Sequence, residues 1–130
     1  MKLPRDPDAV HAPLAGYVHQ IELRGDERLL VLSGQLGMRP DGSVPDDPLG
    51  QLDVAWDNLE ENLRAAGMDA GDLVKVTLYL VGEFDAGRRR ELLARRLGSH
   101  RPCMTLVVVS ALAAPRFRVE VDAWASRAAS

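Results

Sequence analysis

Apolar positions recur along this chain in two rhythms. From Val74 to Leu80 (VKVTLYL) they alternate. Val74, Val76, Leu78 and Leu80 point one way and Lys75, Thr77 and Tyr79 the other, as in a half-buried strand. Arg116 to Ala125 (RFRVEVDAWA) repeats that alternation, with Phe117, Val119, Val121, Ala123 and Ala125 opposed to Arg118, Glu120, Asp122 and Trp124. Tyr17 to Leu23 (YVHQIEL) alternates loosely. Leu29 to Leu32 (LLVL) is apolar at every position, a pattern suited to a strand covered on both faces, and Cys103 to Val109 (CMTLVVV) is a strand apolar on both faces. Helical spacing appears twice. Leu52, Ala55, Trp56, Leu59, Leu63 and Ala66 share one face against Asp53, Asp57, Glu60, Glu61 and Arg64, and Gly67 follows as a left-handed cap. Phe84 to Leu97 forms the second helix, with Leu92, Leu93 and Leu97 inward and arginines outward.

The pattern predicts an α+β fold in the order β-β-α-β-α-β-β. Arg24-Gly25-Asp26-Glu27 supplies a turn, so the first two strands are expected to form a hairpin. Residues 1–15, with Pro4, Pro7 and Pro13, are expected to be an irregular arm, and residues 16–127 a single domain. Met38 to Pro48 (MRPDGSVPDDP) is loop chemistry. Two helices cover only one face of a sheet. Met104, Leu106 and Val108 lie on the opposite side of their strand from Cys103, Thr105, Val107 and Val109, and both sets are mostly apolar. A greasy sheet face without a covering helix marks an interface, so self-association with closed symmetry is expected.

Composition narrows the function. At 130 residues, 27% charged and net charge −3, the chain suits one soluble domain without a phosphate-binding surface, so nucleic acid is not expected as a partner. It has no apolar run long enough for a bilayer and no signal-type stretch after Met1, so the expectation is a cytoplasmic protein with no membrane partner. The single cysteine, Cys103, excludes an internal disulfide framework. His11, His19 and His100 lack zinc spacing, and no glycine-rich phosphate loop is present.

Several short motifs, in order, resemble the Rid family (reactive intermediate deaminase, RidA or YjgF-like). They are Gly16-Tyr17, Leu32-Ser33-Gly34-Gln35, Asp41-Gly42-Ser43-Val44-Pro45, Gln51 with Asn58-Leu59, Ala65-Ala66-Gly67, Asp72-Leu73-Val74-Lys75-Val76-Thr77, Arg101-Pro102 and Val119-Glu120-Val121-Asp122-Ala123. No single piece is specific; their order and spacing are. The resemblance implies a chorismate mutase-like fold, a homotrimer whose sheets form a central barrel, and small-molecule clefts between subunits. It also implies hydrolysis of enamines and imines such as 2-aminoacrylate, with no metal or organic cofactor.

The same resemblance nominates site residues. Glu120 matches the family's acidic residue that positions water. A carboxylate beside apolar neighbours can act as general acid or base, or it can simply pair with Arg118 or another subunit's arginine. Tyr17 matches a pocket-lining tyrosine, Ser33 the hydroxyl of the Ser-Gly-Gln turn, and Gly34 a position allowing close backbone approach. Arg88 lies where deaminating members carry an asparagine, although a solvated helix face also accounts for it. Deaminating members hold the substrate carboxylate with an arginine whose planar fork donates two parallel hydrogen bonds. Here Pro102-Cys103-Met104-Thr105 places Met104 there. A small anion against Met104 and Leu106 would lose water without compensation, so weak activity on 2-aminoacrylate-like acids is expected. Arg101 is a possible substitute three residues earlier. Cys103 with His100 or His19 could make a nucleophile and base, but a lone cysteine in an apolar strand packs as a small hydrophobe.

Two readings stay open. One is a Rid-like hydrolase for an imine, enamine or related labile intermediate that is not a simple amino-acid-derived carboxylate. The alternative is a non-catalytic trimeric module binding a ligand or partner. Ribonuclease action, sometimes attached to the family, sits poorly with the acidic charge.

Overall fold

The computed structural model describes residues 1–129. Its strands are β1 (Lys2–Arg5), β2 (Gln20–Leu23), β3 (Glu27–Leu36), β4 (Leu73–Leu80), β5 (Cys103–Val108) and β6 (Val119–Ala128). Its helices are α1 (Pro48–Ala65) and α2 (Ala86–Leu97), with a short 3-10 turn over Ala70–Asp72. A four-stranded sheet runs β3-β6-β4-β5. β6 is antiparallel to both its neighbours, whereas β4 and β5 are parallel. A parallel pair needs a crossover, and α2 supplies it.

Both helices start and stop on local chemistry. Asp47 caps α1 by accepting a hydrogen bond from the Gly50 amide, and Pro48 opens the first turn, where its missing N–H costs nothing. Gly67 follows at φ 71°, a left-handed conformation that a Cβ would strain. Asp85 caps α2 through the Arg88 amide. The core lies between the helices and one sheet face. Leu52, Trp56, Leu59 and Leu63 of α1 and Leu92, Leu93 and Leu97 of α2 pack on Val76, Leu78, Val119, Val121, Ala123 and Ala125. Arg96 of α2 reaches Asp53 and Asp57 and ties the two helices together.

Three expectations need correction. The arm is not irregular throughout, since Lys2–Arg5 is strand β1. β2 pairs with that strand, not with β3, so the expected hairpin does not form. The β1–β2 ribbon satisfies the backbone of β2 locally and starts only at Gln20, which leaves Tyr17 ahead of the strand. Third, Leu29 to Leu32 is not covered on both faces. Leu32 is buried, whereas Leu29 and Val31 are 52% and 56% exposed. The run is half-buried despite its uniform apolarity.

The bare face is therefore real but mixed. Cross-strand register puts Lys75, Thr77 and Tyr79 beside Cys103, Thr105 and Val107, and beside Trp124, Asp122 and Glu120 on the other side. Ile21, Leu23, Leu29, Cys103 and Trp124 line an apolar hollow at one end. Lys75 also lines this hollow and donates to Thr105, while toward the other end the face is polar, with Tyr79 donating to Asp122.

Candidate functional site

Ser33 and Gly34 sit where β3 slips out of register with β6, in the irregularity between Leu32 and Gln35. An extra residue there bends the strand and re-aims its neighbours. Side chains hold the bend. Gln35 donates its amide to the Ser33 carbonyl at 2.9 Å, and Asn62 of α1 donates to the Gln35 side chain. Asn58, a turn earlier, donates to the carbonyls of Leu36 and Met38. Ser33 is left exposed beside the bend.

Glu120 lies directly over Gly34. A Cβ at Gly34 would come within 2.6 Å of the Glu120 carboxyl carbon, closer than real contacts allow. The missing side chain of Gly34 is thus the space that the carboxylate occupies. Glu120 is half-buried between Leu36 on β3 and Tyr79 on β4. Its entry into β6 is set from below by Gln51, which is 1% exposed. That amide donates to the carbonyls of Pro45 and Arg116 and accepts from the Arg118 amide, all within 2.9 Å. The proposed pairing of Glu120 with Arg118 is not found within the chain. Arg118 donates to the Val81 carbonyl instead, and Glu120 has no ion pair among the described residues.

Tyr79 and Asp122 adjoin Glu120 on the same face, and the sequence reading did not nominate them. Tyr79 Oη donates to Asp122 Oδ2 at 2.9 Å, and Glu120 is its cross-strand neighbour. The signal was available: the polar positions of two alternating strands fall on one face. The hydrogen bond to Asp122, with the charges of Asp122 and Glu120, holds the Tyr79 phenol above its ordinary range. A raised value favours the protonated folded form. Tyr79's contribution to stability is therefore complete below the ordinary phenol value of about 10 and is lost as pH rises through the raised one. In an alkaline absorbance titration one of the two tyrosines is expected to ionise late, and Tyr79→Phe to remove that late component. Retention of the component in the variant would refute the assignment.

The remaining nominated residues lie elsewhere. Tyr17 stands at the β5 edge, where Val18 donates its amide to the Pro102 carbonyl. Its hydroxyl accepts from the Leu14 amide, and its ring meets His19 edge-on at 5.7 Å. Met104 and Leu106 align with Val76 and Leu78, on the helix-covered side. Met104 packs against the core below α2, while Leu106 on the edge strand stays 42% exposed. Within one chain Met104 and Leu106 therefore lie on the other face of the sheet from the Glu120 carboxylate. β3 and β5 are opposite edges of the sheet, about 14 Å apart by strand spacing. Arg88 is exposed on α2 over a groove with Asp47, Asp53, Glu91 and Arg95, remote from both clusters. Cys103 is half-buried, and burial pushes its thiol up, against a thiolate nucleophile. His100 is engaged with the Leu73 carbonyl and His19 with that of His11. Among the described residues no cluster of His, Cys, Asp and Glu is placed to hold a metal ion, and no helix is long and apolar enough to cross a membrane.

Comparison with known proteins places this arrangement. The family model described as Endoribonuclease L-PSP matches residues 8–127. A mouse protein named 2-iminobutanoate/2-iminopropanoate deaminase is 34% identical over 100 residues, which are 75% of this chain and 73% of that protein. Protein DfrA of Myxococcus xanthus is 34% identical over 74% of each chain. The match to the RutC family protein YjgH of Escherichia coli, at 36% identity, spans 56% of this chain and only 55% of that protein. Among solved structures, the Rid-family protein YyfB of Yersinia pestis, whose function is unknown, superposes with a TM-score of 0.83 at 26% identity, covering 97% of this chain and 98% of its own. The mixed sheet with two helices on one face, the Gly34–Glu120 contact and these matches lead to one conclusion: the chain belongs to the Endoribonuclease L-PSP family, which includes the Rid and YjgF proteins.

Proposed function

We propose that copies of this chain assemble as a homotrimer through their bare sheet faces, and that the clefts between them hydrolyse imines or enamines other than simple amino-acid-derived carboxylates. A ring built from one heterologous contact sets one edge of a subunit against the opposite edge of the next. The Tyr17 edge of one copy then meets the Ser33–Gly34–Glu120 edge of its neighbour, which supplies what a single chain keeps apart. The observation that carries this reading is the Glu120 carboxylate seated on Gly34, the one nominated acid held in place with no cation to neutralise it.

The chemistry follows from that acid. An enamine tautomerises to the imine, gaining a proton on carbon and losing one from nitrogen. Glu120 takes a proton from water as the oxygen bonds to the imine carbon and returns it to nitrogen, giving a carbinolamine. The same carboxylate then carries the hydroxyl proton to nitrogen, and the carbon–nitrogen bond breaks as the carbonyl forms, releasing ammonia. Ser33, exposed beside the bend, and the Tyr17 hydroxyl are the polar groups available to orient the substrate.

Ammonia release tests the proposal. Slow turnover is expected on freshly generated 2-iminopropanoate, and faster turnover on imines without a carboxylate on the imine carbon. A 2-iminopropanoate rate equal to that of dedicated deaminases would overturn the altered substrate class. No release above buffer hydrolysis from any imine would leave the second reading, a non-catalytic binding module. The specific observation favouring that second reading is Met104, packed under α2 where an anchoring arginine would stand.

A further inference from the structure

The Asp41-Gly42-Ser43-Val44-Pro45 motif and Gln51 take no part in the imine chemistry. Residues from Gly42 to Asp46 form one wall of a polar hollow of about 390 Å³ near the start of α1, and Pro115, Arg116 and Arg118 form the other. A buried side chain holds the two walls in place. Gln51, 1% exposed, donates to the carbonyls of Pro45 and Arg116 and accepts from the Arg118 amide. Its own hydrogen-bonding groups are thereby engaged within the walls.

Three charges line this hollow unpaired. Arg118 donates Nε to the Val81 carbonyl at 2.9 Å, and a Cβ at Gly82 would stand 2.5 Å from its Nη2. The missing side chain of Gly82 leaves the guanidinium its place. Among the described residues its Nη1–Nη2 edge has no partner, and such an edge grips a carboxylate with two parallel bonds. Arg116 lies 5.0 Å over the Phe117 ring, a cation–π contact. Asp46 is exposed and, among the described residues, pairs with neither arginine. By contrast, Arg5, Arg24, Arg64, Arg96 and Arg127 all form ion pairs. Asp41 and Asp47, in the same segment as Asp46, are engaged by the Ser43 and Gly50 amides. The Ser43 hydroxyl accepts from Arg39, and its own proton stays available. Opposite charges that share a hollow without meeting suit a ligand that carries both signs.

We infer that this hollow binds a free amino acid as its zwitterion. The carboxylate sits on the Arg118 fork with Arg116 alongside, the ammonium faces Asp46, and an aliphatic side chain rests against Val44 and Pro115. The residues differ from those of the imine reading, and no turnover is involved, so each stands or falls separately.

L-valine, N-acetyl-L-valine and L-valinamide are the probes, titrated into the full-length protein labelled with nitrogen-15. Acetylation removes the cation and amidation removes the anion. L-valine is expected to shift the Arg118 Nε–H and Gln51 side-chain amide signals saturably, and to leave the Gly34 amide, beside Glu120, unmoved. L-valinamide is expected to bind at least about tenfold more weakly, the size of a hydrogen-bonded charge contact. N-acetyl-L-valine is expected to bind about two- to fivefold more weakly, the range of an exposed ion pair. Asp46→Asn changes an exposed side chain without a partner, so the fold stays intact. It is expected to erase the difference between L-valine and N-acetyl-L-valine and to keep the penalty for L-valinamide. Arg118→Lys keeps the charge but not the fork; read at Gln51, the penalty for L-valinamide is expected to drop below about threefold. Equal affinity for the three probes would overturn the inference. So would ratios that both variants leave unchanged, or a shift at Gly34 with Arg118 silent.

Discussion

Gly34→Ala is expected to abolish most turnover while leaving the protein folded, and Glu120→Gln to do the same by a different route. Glu120→Gln removes the carboxylate proposed to take the proton from water, and such losses run to about a hundredfold to ten-thousandfold in kcat. Gly34→Ala leaves that carboxylate chemically intact. Its new methyl would occupy the space where the Glu120 carboxyl now lies, 2.6 Å from the carboxyl carbon. The obstacle is the far end of a flexible side chain, so the protein relieves it by swinging Glu120 away. Stability should fall by about 1 kcal/mol, the usual size for a single substitution, and rate by about a hundredfold for a displacement near 1 Å. Kinetics on the best imine, with thermal denaturation in parallel, separates the two terms. An active Gly34→Ala variant would show that the position of Glu120 does not matter. A Glu120→Gln variant that loses assembly instead of turnover would make this carboxylate a structural partner between subunits.

The second large effect concerns assembly. Light scattering on the native protein is expected to give about three times the 14.2 kDa mass of one chain, and Trp124→Asp to return it to a single chain mass. Trp124 is 44% exposed on the bare face, next to Leu29 and Val31. Burying such an indole against a neighbour contributes about 2–3 kcal/mol per contact. An aspartate at that place would be desolvated without a partner, at a cost of about 3–5 kcal/mol. The helix-side core does not involve Trp124, so the variant chain stays folded, and circular dichroism checks this. Ammonia release should fall with assembly, because Tyr17 stands at the β5 edge while Glu120, on β6, rests over Gly34 of the opposite edge strand β3. A native protein that scatters as one chain would remove the composite cleft altogether. A single-chain Trp124→Asp variant with full activity would show that one sheet edge suffices.

Much of this architecture could be read directly from residue order. The alternation in Val74 to Leu80 put Val76 and Leu78 in the core, and both are there. The spacing of Leu52, Trp56, Leu59 and Leu63 gave a helix with the correct buried face, and Gly67 ended it with positive φ. Such features are local: each depends on side chains within a turn or two and on the preference of apolar groups for burial. The Ser33-Gly34-Gln35 and Val119-Glu120-Val121 motifs likewise marked two segments of the site without saying that they touch.

Pairing and sidedness were decided only in three dimensions. Lys2 to Arg5 has no strand pattern, yet it becomes β1, because the unpaired edge of β2 offers its backbone a ladder. Met104 and Leu106 sit on an apolar run whose two faces look alike, and a run without alternation carries no information about which face is covered. Only the register with Val76 and Leu78 set them on the helix side. The Tyr79–Asp122 hydrogen bond joins residues far apart in the chain, as does the contact of Gly34 with Glu120. Residue order determined the two helices, the alternating strands and which side chains seek burial, since those are properties of neighbours. Which strands pair, which face is bare and which acid rests on which glycine depend on contacts between distant segments, and the tertiary structure alone decided them.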